Sequence, residues 1–325
     1  MPQPAPGRSH REGMTLVEMM DMFPTDEIAT KWFEDCIWPD GKRTCGKCGS
    51  ERTSVVKSGK PMPYHCKDCR SYFSVKTNTP MQASNIPMRK WAIGIYLCIT
   101  SLKSVSSMKL HRDLGISQKA AWFMMMRIRE AWACDEDSGP FDGPVEFDET
   151  YMGGKRKNKS NAERKKLKGR GPVDMTAVVG AKCRATNKVE ARVVRSTDKI
   201  TLQGFVDEMT NPDTVVYTDD AAAYQGIPNP HETVNHSVSQ YVDGMAHTNG
   251  MESFWSMLKR AHKGTFHKMS PKHLQRYVNE FEGKHNIRNS DTLCQMRDTV
   301  ARFVGRNLLH RDLVACNGLS SGARS

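Results

Sequence analysis

Pro144-Val-Glu-Phe-Asp-Glu-Thr-Tyr151 is the stretch on which the fold turns. Val145 and Phe147 alternate with Glu146 and Asp148, the period-two pattern of a strand that buries one face and carries both acids on the other. Asp148 is the preferred metal ligand here, with Glu149 its local competitor. Further along, Val215-Val-Tyr-Thr-Asp-Asp220 reads as a buried strand ending in acids, and the carboxyl ends of sheet strands are where ligands bind in α/β folds. Asp219 is favoured because it directly follows the strand, while Asp220 could cap the turn beyond it.

A third acid comes from a helix. In His247-Thr-Asn-Gly-Met-Glu-Ser-Phe-Trp-Ser-Met-Leu-Lys-Arg260, Glu252, Ser256 and Lys259 share one face, and Met251, Phe254, Trp255 and Leu258 form an apolar stripe for packing on a sheet. Asn249 lies one turn earlier on nearly the same face and is a further candidate to ligate or assist. Two acids ending strands and one on a helix suit a pair of hard divalent cations about 3.5–4 Å apart, which points to phosphodiester chemistry. Lys259, beside that site, is suited to hold a substrate phosphate.

The surrounding pattern predicts strands over Val145–Met152, Val173–Ala181 and Val189–Arg195, a helix over Lys199–Met209, a strand over Thr214–Thr218, and helices thereafter. That order is an α/β plan with a mixed sheet. Between the first two strands, Lys155 to Arg170 packs nine basic residues against one acid, Glu163. A solvated, mobile loop is the ordinary reading of such a run, but its place beside Asp148 favours a grip on DNA through Lys155, Arg156, Lys157, Lys165 and Lys166.

Upstream, Cys45-Gly-Lys-Cys48 and Cys66-Lys-Asp-Cys69 form two CxxC knuckles around a seventeen-residue insert. Four thiolates at this spacing suit one structural Zn²⁺ in tetrahedral coordination, a closed shell without an open catalytic position. His65 is a bystander in this reading. Helical patterns follow over Pro87–Thr100, Ser104–Leu114 and Ser117–Ala133, with a Gly115 turn before the last, in helix-turn-helix order. Lys119, Arg127 and Arg129 are the exposed candidates for DNA contact, and Phe123 to Met126 read as core.

Composition agrees with a nucleic-acid partner. The 325 residues carry 48 Lys plus Arg against 36 Asp plus Glu, a net charge of +12, and 38% hydrophobic residues suffice for a real core. No run approaches a membrane span and the N-terminus lacks a secretory apolar segment, so a cytoplasmic, nucleoid-associated location with reduced thiols is expected.

Taken together, the paired knuckles, Phe147-Asp-Glu-Thr-Tyr-Met-Gly-Gly-Lys155, Tyr217-Thr-Asp-Asp220, the Glu252 helix and Gly264-Thr-Phe-His-Lys-Met-Ser-Pro-Lys-His-Leu-Gln-Arg-Tyr277 resemble the zinc-ribbon insertion-sequence transposases with a DDE core, the ISXO-like group. The resemblance covers about residues 25 to 290. It implies a ribonuclease-H-like catalytic domain, two Mg²⁺ or Mn²⁺ ions on Asp148, Asp219 and Glu252, Lys259 at the DNA end, and cut-and-join chemistry on terminal inverted repeats.

The expected organisation is a disordered stretch over 1–14, a helix plus zinc ribbon over 15–84, a helix-turn-helix-like domain over 85–136, the catalytic domain over 143–290, and a C-terminal helix and tail over 291–325. The expected partner is double-stranded DNA, both element ends and target. Joining two ends calls for a homodimer or higher oligomer on DNA. Competing readings are a ribonuclease-H-like nuclease that cuts without joining and a domesticated DNA-binding regulator.

Overall fold

A computed structural model describes residues 12–133, 139–154, 160–166, 173–234 and 248–315. The described residues of Met1–Ala133 and Ile287–Ala315 form one compact unit, and those of Cys134–Asn286 form another.

In the first unit, Thr15 caps α1 (Leu16–Met22) through a reciprocal box with Glu18, and Thr25 caps α2 (Asp26–Ile37). A small antiparallel sheet follows, β1 (Thr53–Val55), β2 (Tyr64–Cys66) and β3 (Tyr72–Phe73). Then come α3 (Met88–Thr100), α4 (Ser107–Leu114) and α5 (Gln118–Glu130), the last two opened by Ser106 and Ser117 caps. Gly115 ends α4 in the left-handed conformation, φ 56°, which makes the turn between α4 and α5.

The ribbon and the helices, expected as separate domains, share one hydrophobic core: Tyr64 and Phe73 belong to the same cluster as Trp32, Trp91, Leu110 and Met124. A sheet this small cannot bury enough apolar surface alone. The C-terminal segment returns to complete that core, because Met296 and Val300 of α10 (Thr292–Ala301), together with Phe303, join the cluster. Glu12, expected in a disordered stretch, accepts the Thr292 N–H at 3.0 Å.

This return explains a correction. Arg127 and Arg129, read from the sequence as exposed, are 5% and 1% exposed. Arg127 Nε donates to the Leu308 carbonyl at 3.2 Å, and its guanidinium stacks over Phe123 at 4.0 Å. Arg129 Nη1 reaches the Met126 sulfur. Of the three cations chosen, Lys119 is exposed.

The second unit is built on a five-stranded sheet in the order β6-β5-β4-β7-β8, comprising β4 (Val145–Met152), β5 (Thr176–Cys183), β6 (Val189–Val194), β7 (Val216–Asp219) and β8 (His231–Val234). The first three strands run antiparallel and β7 and β8 run parallel to β4, a ribonuclease-H-like mixed sheet. The β4 strand spans the residues expected for it, while β8 was not foreseen. The basic run, expected as a loop, holds the short helix α6 (Asn161–Lys166) within it. Lys155, Arg156 and Lys157 lie outside the described residues.

Asp198 caps α7 (Lys199–Met209), which buries Leu202, Phe205 and Val206 against Val145 and Phe147 on one face of the sheet. Against β4 and β5 packs α8 (Asn249–Ala261), with Met251, Phe254, Trp255 and Leu258 all buried. The β6 edge is occupied by polar side chains of α9 (Leu274–Ile287). Asn286 exchanges two hydrogen bonds of 2.8 Å with the Val189 backbone, Glu282 accepts from Ala191, and Gln275 accepts from Val193. These side chains take the ladder positions that would otherwise invite a foreign strand.

One glycine lets α8 descend onto the sheet. A Cβ on Gly180 would lie 2.3 Å from Met251 Cε and 2.7 Å from Trp255 Cζ2, and the indole cannot swing away as the methionine can. Gly180→Ala is therefore expected to destabilise the second unit by about 1–3 kcal/mol through overpacking. Denaturant unfolding of the variant checks this, and unchanged stability would show that α8 docks differently.

Candidate active site and cysteine centre

Asp148 and Asp219 meet through strand register. Val145 pairs with Val216 and Glu146 with Tyr217 in the parallel β4–β7 ladder, an offset of 71, and the same offset sets Asp148 beside Asp219. On the other side Asp148 pairs with Gly180, so no side chain at that position stands between it and the Trp255 ring above β5.

The start of α8 is tied to the same strand. Glu146, 2% exposed, accepts the Met251 N–H at 3.2 Å and an Arg184 Nε bond at 2.8 Å, while the Arg184 guanidinium lies 3.7 Å over the Tyr217 ring. A buried carboxylate at a helix N-terminus is favoured by the orphan N–H groups and the helix dipole. Gly250 makes the approach close, since a Cβ there would fall 2.6 Å from Glu146 Oε2.

With α8 so fixed, Glu252, Ser256 and Lys259 line one cleft of about 470 Å³ together with Asp148, Glu149 and Thr150, and Arg260 and Lys263 complete its basic side. Arg260 donates to Ser256 Oγ through both Nε and Nη2. Asn249, the exposed first residue of α8, is not among the residues that line this cleft. Lys165 is exposed on α6, and the backbone of Lys166 ends that helix.

Electrostatics marks the acidic side as strained. Burial pushes the Asp148 carboxyl up to about 7, and the charges of Glu149, Asp219 and Glu252 push in the same direction, against one backbone hydrogen bond from Glu149. Glu149 is also raised, by burial and by Asp219, although Tyr224 donates to its Oε2 at 3.2 Å. Asp219 accepts the Ala221 N–H at 3.2 Å. The carboxylates are near enough to repel one another, yet the three acids of the expected triad do not all lie within 4.8 Å of one another.

Sequence reasoning missed Tyr224 and Arg184, and it read Lys263 only as part of a positive surface continuing beyond the Glu252 helix. Tyr224 and Arg184 act from turns whose placement depends on tertiary contacts. Lys263 continues the Glu252, Ser256, Lys259 face but lies in a π-helical turn, His262–Phe266, where helical spacing no longer predicts direction.

Among the described residues, four cysteines have their ligand atoms already gathered as a metal would need: the sulfurs of Cys45, Cys48, Cys66 and Cys69 all lie within 4.8 Å of one another. Cys45 to Cys69 and Cys48 to Cys66 are each 3.7 Å apart, against about 3.8 Å for the edge of a tetrahedron with Zn–S near 2.3 Å. Both knuckles have one backbone design. The cysteine N–H donates to the carbonyl five residues on, Ser50 or Ser71, and the residue before that carbonyl has positive φ, 74° at Gly49 and 56° at Arg70. Gly46 is required in the first knuckle, since a Cβ would sit 2.5 Å from the Thr77 carbonyl oxygen. The set fits structural zinc.

Residues 140–286 match the model of the ISXO2-like transposase domain, and residues 24–71 match the transposase zinc-ribbon domain. An uncharacterized protein in transposable element ISH50 of Halobacterium salinarum is 26% identical over 282 residues, 82% of this chain and 92% of that protein. An uncharacterized transposase-like protein of Haemophilus influenzae is 30% identical over 112 residues, 34% of this chain and 88% of that protein.

Two outcomes follow from the geometry. The folded state holds the Asp148 proton more tightly than the unfolded state, so in the ion-free protein this group's contribution is full below about pH 4 and is lost as pH rises toward about 7, by at most about 1.4 kcal/mol per unit. Asp148→Asn is expected to flatten that slope in urea titrations from pH 4 to 8; an identical slope in both proteins would contradict the assignment. For the cysteines, Cys48→Ser should lower bound zinc below one per chain and destabilise the first unit, as read by metal analysis and thermal unfolding. Full stability without zinc would contradict a structural role.

Proposed function

Because this chain belongs to the ISXO2-like transposase family, we propose that it is the transposase of an insertion sequence, binding the element's terminal inverted repeats and catalysing metal-dependent DNA cleavage and strand transfer. The observation that carries the reading is that Asp148, under the charges of Glu149, Asp219 and Glu252, opens on a cleft that Glu149, Glu252, Lys259, Arg260 and Lys263 also line. A carboxyl lifted to about 7, first by burial and then by the acids beside it, is suited to a cation of matching hardness, and the donor set is all oxygen.

In this reading Asp148, Asp219 and Glu252 would hold two Mg²⁺ or Mn²⁺ ions. When bound, such ions activate the attacking oxygen and stabilise the leaving one in an in-line displacement. The protein's own part is positional. Ladder register carries Asp148 and Asp219, the Glu146 anchor carries Glu252, and Lys259 with Arg260 and Lys263 holds phosphate oxygens at the same cleft. Water as nucleophile gives end cleavage, and a 3′-hydroxyl gives strand transfer in the same geometry. Glu149 accepts the Tyr224 hydroxyl bond, which opposes the rise that burial and Asp219 impose on its carboxyl.

DNA, as element ends and as target, is the partner, and joining two ends calls for a homodimer or higher oligomer. No helix among the described residues is long and apolar enough to cross a membrane. Action on DNA in the cytoplasm, at the nucleoid, follows from the activity.

Asp148→Ala is expected to lower Mg²⁺-dependent cleavage of end-bearing DNA at least a thousandfold while binding of the same DNA persists. Gel analysis of cleaved and joined products, beside a binding assay, reads both. Cleavage that survives the substitution would sink the assignment, and hydrolysis without joined products would favour a plain nuclease.

A further inference from the structure

The first unit contains a second cleft, of about 400 Å³, that the transposition chemistry leaves unused. One wall is a single face of α5, Ser117, Ala120, Phe123 and Arg127, at successive helical spacings, and the opposite wall is the segment Ala83–Pro87 with Trp91 behind it. Its size is in the range of small-molecule sites, and most of its lining is apolar.

Arg127 is anomalous there. It is 95% buried, being 5% exposed, and its hydrogen bond is the one from Nε to the Leu308 carbonyl; among the described residues no carboxylate pairs with it. Phe123 covers one face of the guanidinium at 4.0 Å, and the His310 ring packs edge-on against the same phenyl. Burial without a counter-charge pulls the group down to about 10, so it still carries its full charge at neutral pH. A buried guanidinium without an anion is costly to keep unless something pairs with it. The rim adds a second mark: Ala83 holds a left-handed backbone, φ 54°, a conformation that costs an alanine of order 1 kcal/mol and gathers at ligand clamps.

We propose that this cleft binds a small monocarboxylate with a flat or compact apolar body, its carboxylate on the Nη groups of Arg127 and its body between Phe123, Ile116 and Trp91. Charge selects the headgroup: one carboxylate balances one guanidinium and pairs with it in a bidentate manner, whereas a phosphate dianion would remain half uncompensated in an apolar wall. Shape selects against a DNA phosphodiester, because its sugars on both sides hinder its approach to a guanidinium that is 5% exposed. Occupancy would fasten the Ala83–Pro87 segment to α5. The site is in the first unit and uses none of the acids of the second, so its failure would leave the transposase reading untouched.

The test uses the full chain with 2-naphthoate as probe, 2-naphthamide as its uncharged counterpart, and inorganic phosphate and a short oligonucleotide as controls, read by calorimetry and by chemical shifts of the α5 residues. Naphthoate is expected to bind at least tenfold more tightly than the amide, with shifts at Ala120 and Phe123, and Arg127→Met is expected to abolish that difference. If Arg127→Met does not fold, Ala120→Phe fills the cleft while leaving the guanidinium in place, and it should likewise abolish binding. Equal binding of acid and amide, binding that survives both variants, no binding of naphthoate, or preferential binding of phosphate or oligonucleotide at these residues would each overturn the proposal.

Discussion

Repulsion among Asp148, Glu149, Asp219 and Glu252 is the constraint around which the second unit is arranged. The acids belong to β4, β7 and α8, and beyond the cost of burial the charges of Glu149, Asp219 and Glu252 act against the charged form of Asp148, and that of Asp219 against Glu149, so the scaffold must hold them together. Three devices do so. The parallel ladder gives Asp148 and Asp219 no freedom along their strands, the absent side chain at Gly180 lets Trp255 seat on β5, and Glu146 grips the first turn of α8 while Arg184 neutralises it. Removing either of the last two would let Glu252 drift without touching Asp148, Glu149 or Asp219.

The first unit solves a different problem, that of stabilising a short cysteine-rich sheet. Its strands are two and three residues long, too little to stand alone, and the solution combines a four-sulfur centre with a core shared with α2, α3 and α10. The aromatic contacts among Trp38, Tyr64 and Phe73 join the sheet to the helices on one side, and the knuckles close it on the other. Because the last helices return to this core, residues distant in sequence fix how much of α5 is left at the surface.

That return separates what was legible in the sequence from what was not. The alternation in Val145–Met152, the apolar stripe from Met251 to Leu258 and the CxxC spacing are local patterns, and local patterns report directly on which face is buried. Arg127 failed for the opposite reason: a helix read alone presents one apolar stripe, whereas α5 is covered a second time by the segment at Leu308, 181 residues away. The β8 strand is four residues with polar His231, Glu232 and Thr233, and its strand character comes from pairing with β7. Gly180 carries no local signal of its role, which comes from the register that sets it opposite Asp148 and under Trp255. Tyr224, similarly, is one residue in an Ala-rich turn whose role depends on Glu149.

The central claim, that these acids form a divalent-cation site for phosphodiester chemistry, is tested most directly by anomalous diffraction from crystals grown with Mn²⁺. The account predicts anomalous density bounded by the carboxylates of Asp148, Asp219 and Glu252, and its loss in Asp148→Asn crystals grown identically. Manganese bound elsewhere, or these three acids without it at saturating concentration, would contradict it.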